Sequence, residues 1–190
     1  MRPLRHLSAA LRLLLVSTVA LGLGYPLAIT VAALAFPSQA GGSVVRLDGR
    51  VVGSSLLGQA ATGPQWFQPR PSVSDYSGAT SGGSNLAESS STQRSAVAQR
   101  AAALRAANPD AVGPIPPDAL TASSSGLDPD ISPAYAAWQA PRVAAARGIP
   151  LSTVHRLIAE ATRPAVLGFI GADRVDVTVL NLALAGLATG

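Results

Sequence analysis

Between Leu13 and Val45 the chain carries no charged side chain, and Leu13 to Phe36 is almost entirely apolar. At 1.5 Å per helical residue such a run spans roughly the 30 Å hydrocarbon core of a bilayer. It reads as one transmembrane helix over 13–36. Arg2, Arg5 and Arg12 precede it and the uncharged stretch from Pro37 to Gly42 follows. The positive-inside rule therefore predicts a cytoplasmic basic N-terminus at 1–12 and an extracytoplasmic domain at 37–190, in a single-pass protein of the plasma membrane. The competing reading is a cleaved signal peptide, because Ala33-Leu34-Ala35 has small residues at cleavage-site spacing. The apolar run is longer than the usual 7 to 15 residues of a signal core, which favours retention.

Within this segment Ala20, Gly24, Ala28 and Ala32 recur every fourth residue, a stripe of small side chains that lets another helix backbone approach closely in lipid. Pro26 lacks an amide hydrogen and is expected to kink or loosen the helix. Such a defect is easier to tolerate where a neighbouring helix can satisfy the freed carbonyl.

All 14 basic residues are arginine. Without lysine there is no Walker phosphate loop, no Schiff base and no Ser-x-x-Lys nucleophile pair. Without cysteine there are no disulfides, thiol nucleophiles or Cys-type zinc sites. The formal charge of +4 is carried mostly by the three arginines before the apolar run. That makes it a flank of the helix and not a basic patch for nucleic acid.

The remaining residues suffice for one small α+β body, and with only 4% aromatics its core must be built from Ala, Val, Leu and Ile. Asp48-Gly49 suits a two-residue turn, predicting a β-hairpin over 43–54. Residues 59–92 are rich in Gly, Ser, Thr, Pro and Asn and read as a long irregular region, the expected interaction surface. Helical periodicity follows from Ser89 to Ala107, and Leu120 to Ala122 reads as a short strand. Ser132-Pro133 predicts the start of a helix to Arg147, ended by Gly148 and kinked or divided by Pro141 near Gln139. Ser152 is expected to cap a helix to about Thr162. Val166 to Ile170 and Val175 to Leu180 read as strands, with Asn181 capping a short C-terminal helix.

Three constellations invite a chemical reading. A Ser/His/Asp hydrolase would draw its base from His155, since His6 precedes the apolar run; His155 sits beside the apolar face of its helix, and no Gly-x-Ser-x-Gly elbow accompanies it. Asp128, Asp130 and Ser132 could bind a cation, or could serve as turn and cap residues. The loop Ser81-Gly82-Gly83-Ser84-Asn85 could offer backbone amides to an anion, or be an ordinary loop.

The motifs also carry a resemblance. Tyr25-Pro26-Leu27, Gly53 to Gln59, Phe67-Gln68-Pro69-Arg70-Pro71-Ser72, Ser81 to Leu86, Ser125 to Pro133, Gln139 to Ala144 and Leu180 to Leu184 occur in order behind the single anchor. Together they are similar to the C subunit of the bacterial Kdp potassium-transporting P-type ATPase. The resemblance implies a non-catalytic accessory subunit, partnered in the bilayer by a potassium-channel-like subunit and a P-type ATP-hydrolysing subunit. ATP and potassium would be handled by that complex, with no cofactor bound firmly by this chain. It further implies a catalytic chaperone that raises the ATP affinity of the hydrolysing subunit, with Gln139 as the possible nucleotide contact. An extracytoplasmic domain does not meet cytoplasmic ATP, so the charge asymmetry favours an allosteric effect exerted from the outer mouth of the potassium pathway.

Overall fold

The computed structural model describes residues 2–187, which fall into two compact units that divide between Ser43 and Val44. In the first, α1 (Arg2–Val19), a π-helical turn (Ala20–Gly24) and α2 (Tyr25–Ala33) follow one another without a break. Arg5–Ala33 is long and apolar enough to cross a membrane, and its most apolar window is not buried by the protein itself. The wide turn explains how Pro26 is tolerated. The Tyr25 amide donates to the Ala20 carbonyl, five residues back, which relaxes the ladder just where the proline ring would crowd it.

The helix ends at Ala33 although the apolar run continues to Phe36. Proline disfavours helical geometry in the residue before it. Phe36 accordingly takes φ −130° and ψ 63°, and Pro37 opens the short α3 (Pro37–Ala40).

The second unit opens with the expected hairpin, β1 (Val44–Leu47) and β2 (Arg50–Ser54). Leu47 pairs with Arg50 across the turn, and Asp48 and Gly49 both take positive φ, 49° and 76°. After a long irregular stretch comes α4 (Ser91–Ala107), with Ser90 as N-cap. Leu120 to Ala122 does not form a strand; instead Pro117–Leu120 makes one helical turn, α5, because Pro117 occupies its first position with the right φ already set.

The rest of the domain is β3 (Asp130–Ile131), α6 (Pro133–Arg147), α7 (Leu151–Ala161), β4 (Thr162–Arg163), β5 (Arg174–Asp176) and α8 (Val177–Gly186). β5 is the central strand of a three-stranded sheet in the order β3-β5-β4, antiparallel throughout. Tyr135 and Val143 of α6, Val154 and Leu157 of α7, Val175 of β5 and Leu180 and Leu184 of α8 join in one core.

Several boundaries differ from expectation. Pro141 neither divides nor ends α6. The carbonyl it leaves without a helical donor belongs to the exposed Ala137, where water can serve. Gly148 ends that helix at φ 65°, while the Ile149 amide reaches back to the Ala144 carbonyl at 3.1 Å. The cap position of α7 is Pro150, and Ser152 lies inside the helix. Val166 to Ile170 is a tight turn closed by a single bridge between its ends. Strand β5 stops at Asp176, whose carboxylate accepts the Val179 amide at 3.0 Å and starts α8. The β-branched Val177-Thr178-Val179 is therefore helical: a cap and the buried series Val177, Leu180, Leu184 outweigh strand propensity.

Candidate functional site

Phe67 belongs to the irregular region, yet it is fully buried, so its main-chain polar groups need partners inside the protein. Two carboxamides supply them. Asn181 Oδ1 accepts from the Phe67 amide and Asn181 Nδ2 donates to the Phe67 carbonyl, both at 2.9 Å. Gln139 does the same one residue on: its Oε1 accepts from the Gln68 amide at 2.8 Å and its Nε2 donates to the Gln68 carbonyl at 3.1 Å. Each side chain imitates the amide face of a neighbouring strand. The loop is thereby clasped to α6 through Gln139 and to α8 through Asn181.

Two arginines of α6 extend the clasp. Arg142 donates from Nη2 to Gln139 Oε1 at 2.7 Å, from Nη1 to the Trp66 carbonyl at 3.0 Å and from Nε to Asn108 Oδ1 at 2.7 Å. Arg147 donates from Nε to the Gln65 carbonyl at 2.8 Å and from Nη1 to the Leu184 carbonyl at 2.9 Å. Its guanidinium lies 4.3 Å from the centre of the Trp66 ring, within cation–π range. Burial lowers the pKa of both arginines, but a guanidinium stays charged in a protein. These are neutral amides and permanent cations, with no nucleophile and no base among them. The arrangement holds chain in place and is not suited to turning over a substrate.

Sequence reasoning singled out Gln139 but missed the roles of Arg142, Arg147 and Asn108, and read Asn181 as a cap. Asn181 lies within α8, one position after the buried Leu180. The signal was a polar side chain set into an apolar helix. Gln139 is 1% exposed and its Oε1 and Nε2 are both engaged within the protein. A nucleotide contact through it would first have to displace the Gln68 main chain.

The carboxylates do structural work. Asp128 pairs with Arg70 at 3.1 Å and its Oδ1 accepts the Asp130 amide at 3.1 Å. The Ser132 hydroxyl caps α6, accepting from the Tyr135 amide at 3.0 Å, while Asp118 accepts from both the hydroxyl and the amide of Ser132. Among the described residues no group of three or more His, Cys, Asp or Glu is placed to hold a metal ion.

Asp130 and Asp176 face each other across β3 and β5, each with an arginine partner: Arg174 at 3.0 Å and Arg163 at 3.4 Å. Burial raises both carboxyl pKa values, and the Asp176 charge raises that of Asp130 further. The folded state therefore holds these protons more tightly than the unfolded chain, whose aspartates titrate near about 3.9. Their stabilising contribution is complete below that value and is lost as pH rises through the raised folded values. Asp176→Asn keeps a cap oxygen for Val179 and removes one charge. Denaturation across pH 4 to 7 is expected to show a flatter profile for this variant than for the parent.

His155 is exposed on α7 and, among the described residues, makes no hydrogen bond to a serine or an aspartate. The loop at 81–85 is tied inward: the Gly82 amide donates to the Ser125 carbonyl at 2.9 Å, and Ser81 Oγ donates to the same carbonyl at 3.1 Å. Ala20, Gly24, Ala28 and Ala32 are all exposed along the N-terminal helix.

A family model described as "K+-transporting ATPase, c chain" matches residues 7–186. The chain is similar to curated proteins named potassium-transporting ATPase KdpC subunit. It is 49% identical to the one from Beijerinckia indica subsp. indica over 95% of this chain and 93% of that protein. It is 51% identical to the one from Sorangium cellulosum, over 96% and 98%, and 51% identical to the one from Caulobacter vibrioides, over 95% and 93%.

Proposed function

Since the chain belongs to the KdpC family of potassium-transporting ATPase subunits, we propose that it is a non-catalytic accessory subunit anchored in the plasma membrane by residues 5–33. Its partners are a potassium-channel-like subunit and a P-type ATP-hydrolysing subunit. The observation that carries this reading is the apolar helix Arg5–Ala33, which the protein itself leaves unburied. Such a surface needs lipid and neighbouring helices around it. The stripe of Ala20, Gly24, Ala28 and Ala32 is the face on which a neighbouring helix packs.

Arg2, Arg5 and Arg12, which precede the uncharged run beginning at Leu13, orient residues 37–190 to the outside. The subunit then raises the ATP affinity of its complex allosterically, by binding one state of the pump better than another. The inward commitment of Gln139 supports transmission through the fold over direct nucleotide contact.

Orientation is tested by placing a single cysteine at the exposed Ser124 of this cysteine-free chain and labelling intact cells with a membrane-impermeant maleimide. Labelling is expected; protection until the cells are lysed would reverse the topology. Gly24→Leu and Ala28→Leu together are expected to leave the chain in the membrane fraction while reducing co-purification of its partners several-fold. Unchanged co-purification would remove the stripe from the interface.

A further inference from the structure

Pro164 to Ala172 is nine residues without one hydrogen-bonding side chain. Four of them point outward at the tip between β4 and β5: Val166 is 56% exposed, Leu167 78%, Phe169 75% and Ile170 52%. The tip is a defined structure. Val166 and Ile170 exchange two main-chain hydrogen bonds, at 3.0 and 2.9 Å, the Gly168 amide donates to Ala165 and the Phe169 amide to Val166. At its base the Ala165 amide donates to Asp173 Oδ1 at 2.9 Å. Leu167 holds φ at 55°, a costly angle for a bulky residue, while it packs on little of its own chain.

The stem is basic. Arg163 and Arg174 are directly paired across β4 and β5, with side chains 49% and 42% exposed. Each ion pair uses one nitrogen of the guanidinium fork, and a guanidinium has five hydrogens to donate.

We propose that this tip is a second membrane contact, inserting Val166, Leu167, Phe169 and Ile170 into the acyl boundary of an anionic bilayer while Arg163 and Arg174 meet lipid phosphates. Across residues 164–172 no side chain can hydrogen-bond, so the rim of hydrogen bonds that usually surrounds the hydrophobic centre of a protein interface would fall to the two stem arginines alone. An apolar medium instead favours apolar side chains on a main chain that pairs with itself, and here the amides of Val166, Gly168, Phe169 and Ile170 all bond to carbonyls within the tip. From Ala33, the last residue of α2, to Val44 the chain spans at most about 40 Å even when extended, which keeps the domain near the bilayer that holds the anchor. Arginines behind an apolar tip are the usual arrangement at a headgroup layer. The inference rests on reading residues 5–33 as the anchor.

The test uses the full-length chain, which has no native cysteine, assembled with its complex in nanodiscs of phosphatidylglycerol and phosphatidylethanolamine. Nitroxide labels are placed singly at Leu167→Cys, at Leu21→Cys in the anchor and at Val112→Cys, which is 91% exposed. Relaxation by oxygen and by a water-soluble nickel chelate reports depth. At 167 oxygen access is expected to exceed nickel access several-fold, as at 21, with the reverse at 112. Nickel access at 167, or access by neither reagent as in a protein interface, overturns the proposal. Nickel access at 21 would overturn the anchor reading separately. In pure phosphatidylcholine the 167 label is expected to sit shallower; equal depth would remove the arginines' part.

Discussion

Gln139→Ala is expected to destabilise the domain by about 2–4 kcal/mol, the range for leaving several part-buried polar groups without partners at once. The substitution strands the Gln68 amide, the Gln68 carbonyl and one N–H of Arg142, and leaves a cavity where the side chain was. A chain of this length shifts its melting temperature by about 2–4 °C per kcal/mol, so a fall of roughly 5–15 °C is expected on thermal denaturation. Gln139→Glu separates the parts of the effect. It keeps an oxygen for the Gln68 amide and for Arg142 and loses the donor to the Gln68 carbonyl, so an intermediate loss is expected. The same variants decide the role of this residue in ATP use. If Gln139→Ala left stability untouched but raised the KM for ATP of the complex, direct contact would replace the structural clasp.

Gly126→Ala is expected to cost about 3 kcal/mol or more, from two sources that add. Its φ of 69° is strained for any residue with a Cβ, at roughly 1–2 kcal/mol. That Cβ would also lie 2.9 Å from the Gly82 carbonyl oxygen and 2.5 Å from Ser74 Oγ. The serine can rotate; the carbonyl belongs to main chain that is hydrogen-bonded to Ser125, so the two strands of loop must part. Urea unfolding should show the loss, and limited proteolysis should show faster cleavage between residues 72 and 86. Gly113 is the control: its φ is 86° but nothing lies within 4 Å of an added Cβ. Gly113→Ala is expected to cost only the conformational part, about 1–2 kcal/mol. Equal effects at the two glycines would show that close packing at Gly126 contributes nothing.

Both variants act on the long irregular region that the sequence marks as the expected interaction surface. Phe67 is fully buried, Pro69 is buried, and the Pro71 carbonyl accepts the Ser123 amide at 2.9 Å. Low periodicity described its lack of helix and strand correctly. It carried no information about tethering, because the partners of Phe67 and Gln68 lie 114 and 71 residues away. The apolar tip at 166–170, also exposed, was assigned to a strand. β-branched and aromatic residues there fit a pleated sheet, but Gly168 and Gly171, both at positive φ, close the chain into a turn instead.

Local chemistry settled what short-range forces control. The uninterrupted apolar run demanded a helix, Asp48-Gly49 made a tight hairpin turn, Ser132-Pro133 began α6 and Gly148 ended it, each through dihedral preferences or hydrogen bonds within a few residues. The order of motifs along the chain was enough to reach the family. Tertiary structure decided where polar side chains face. Gln139 and Asn181 carry amides that many settings could use; only the arrival of Phe67 and Gln68 from a distant loop gave each its main-chain partners. Asp176 likewise became a helix cap because burial of Val177, Leu180 and Leu184 against the core outweighed the strand preference of its neighbours. Burial is a property of the assembled chain, and until it is set a polar residue has no defined partner.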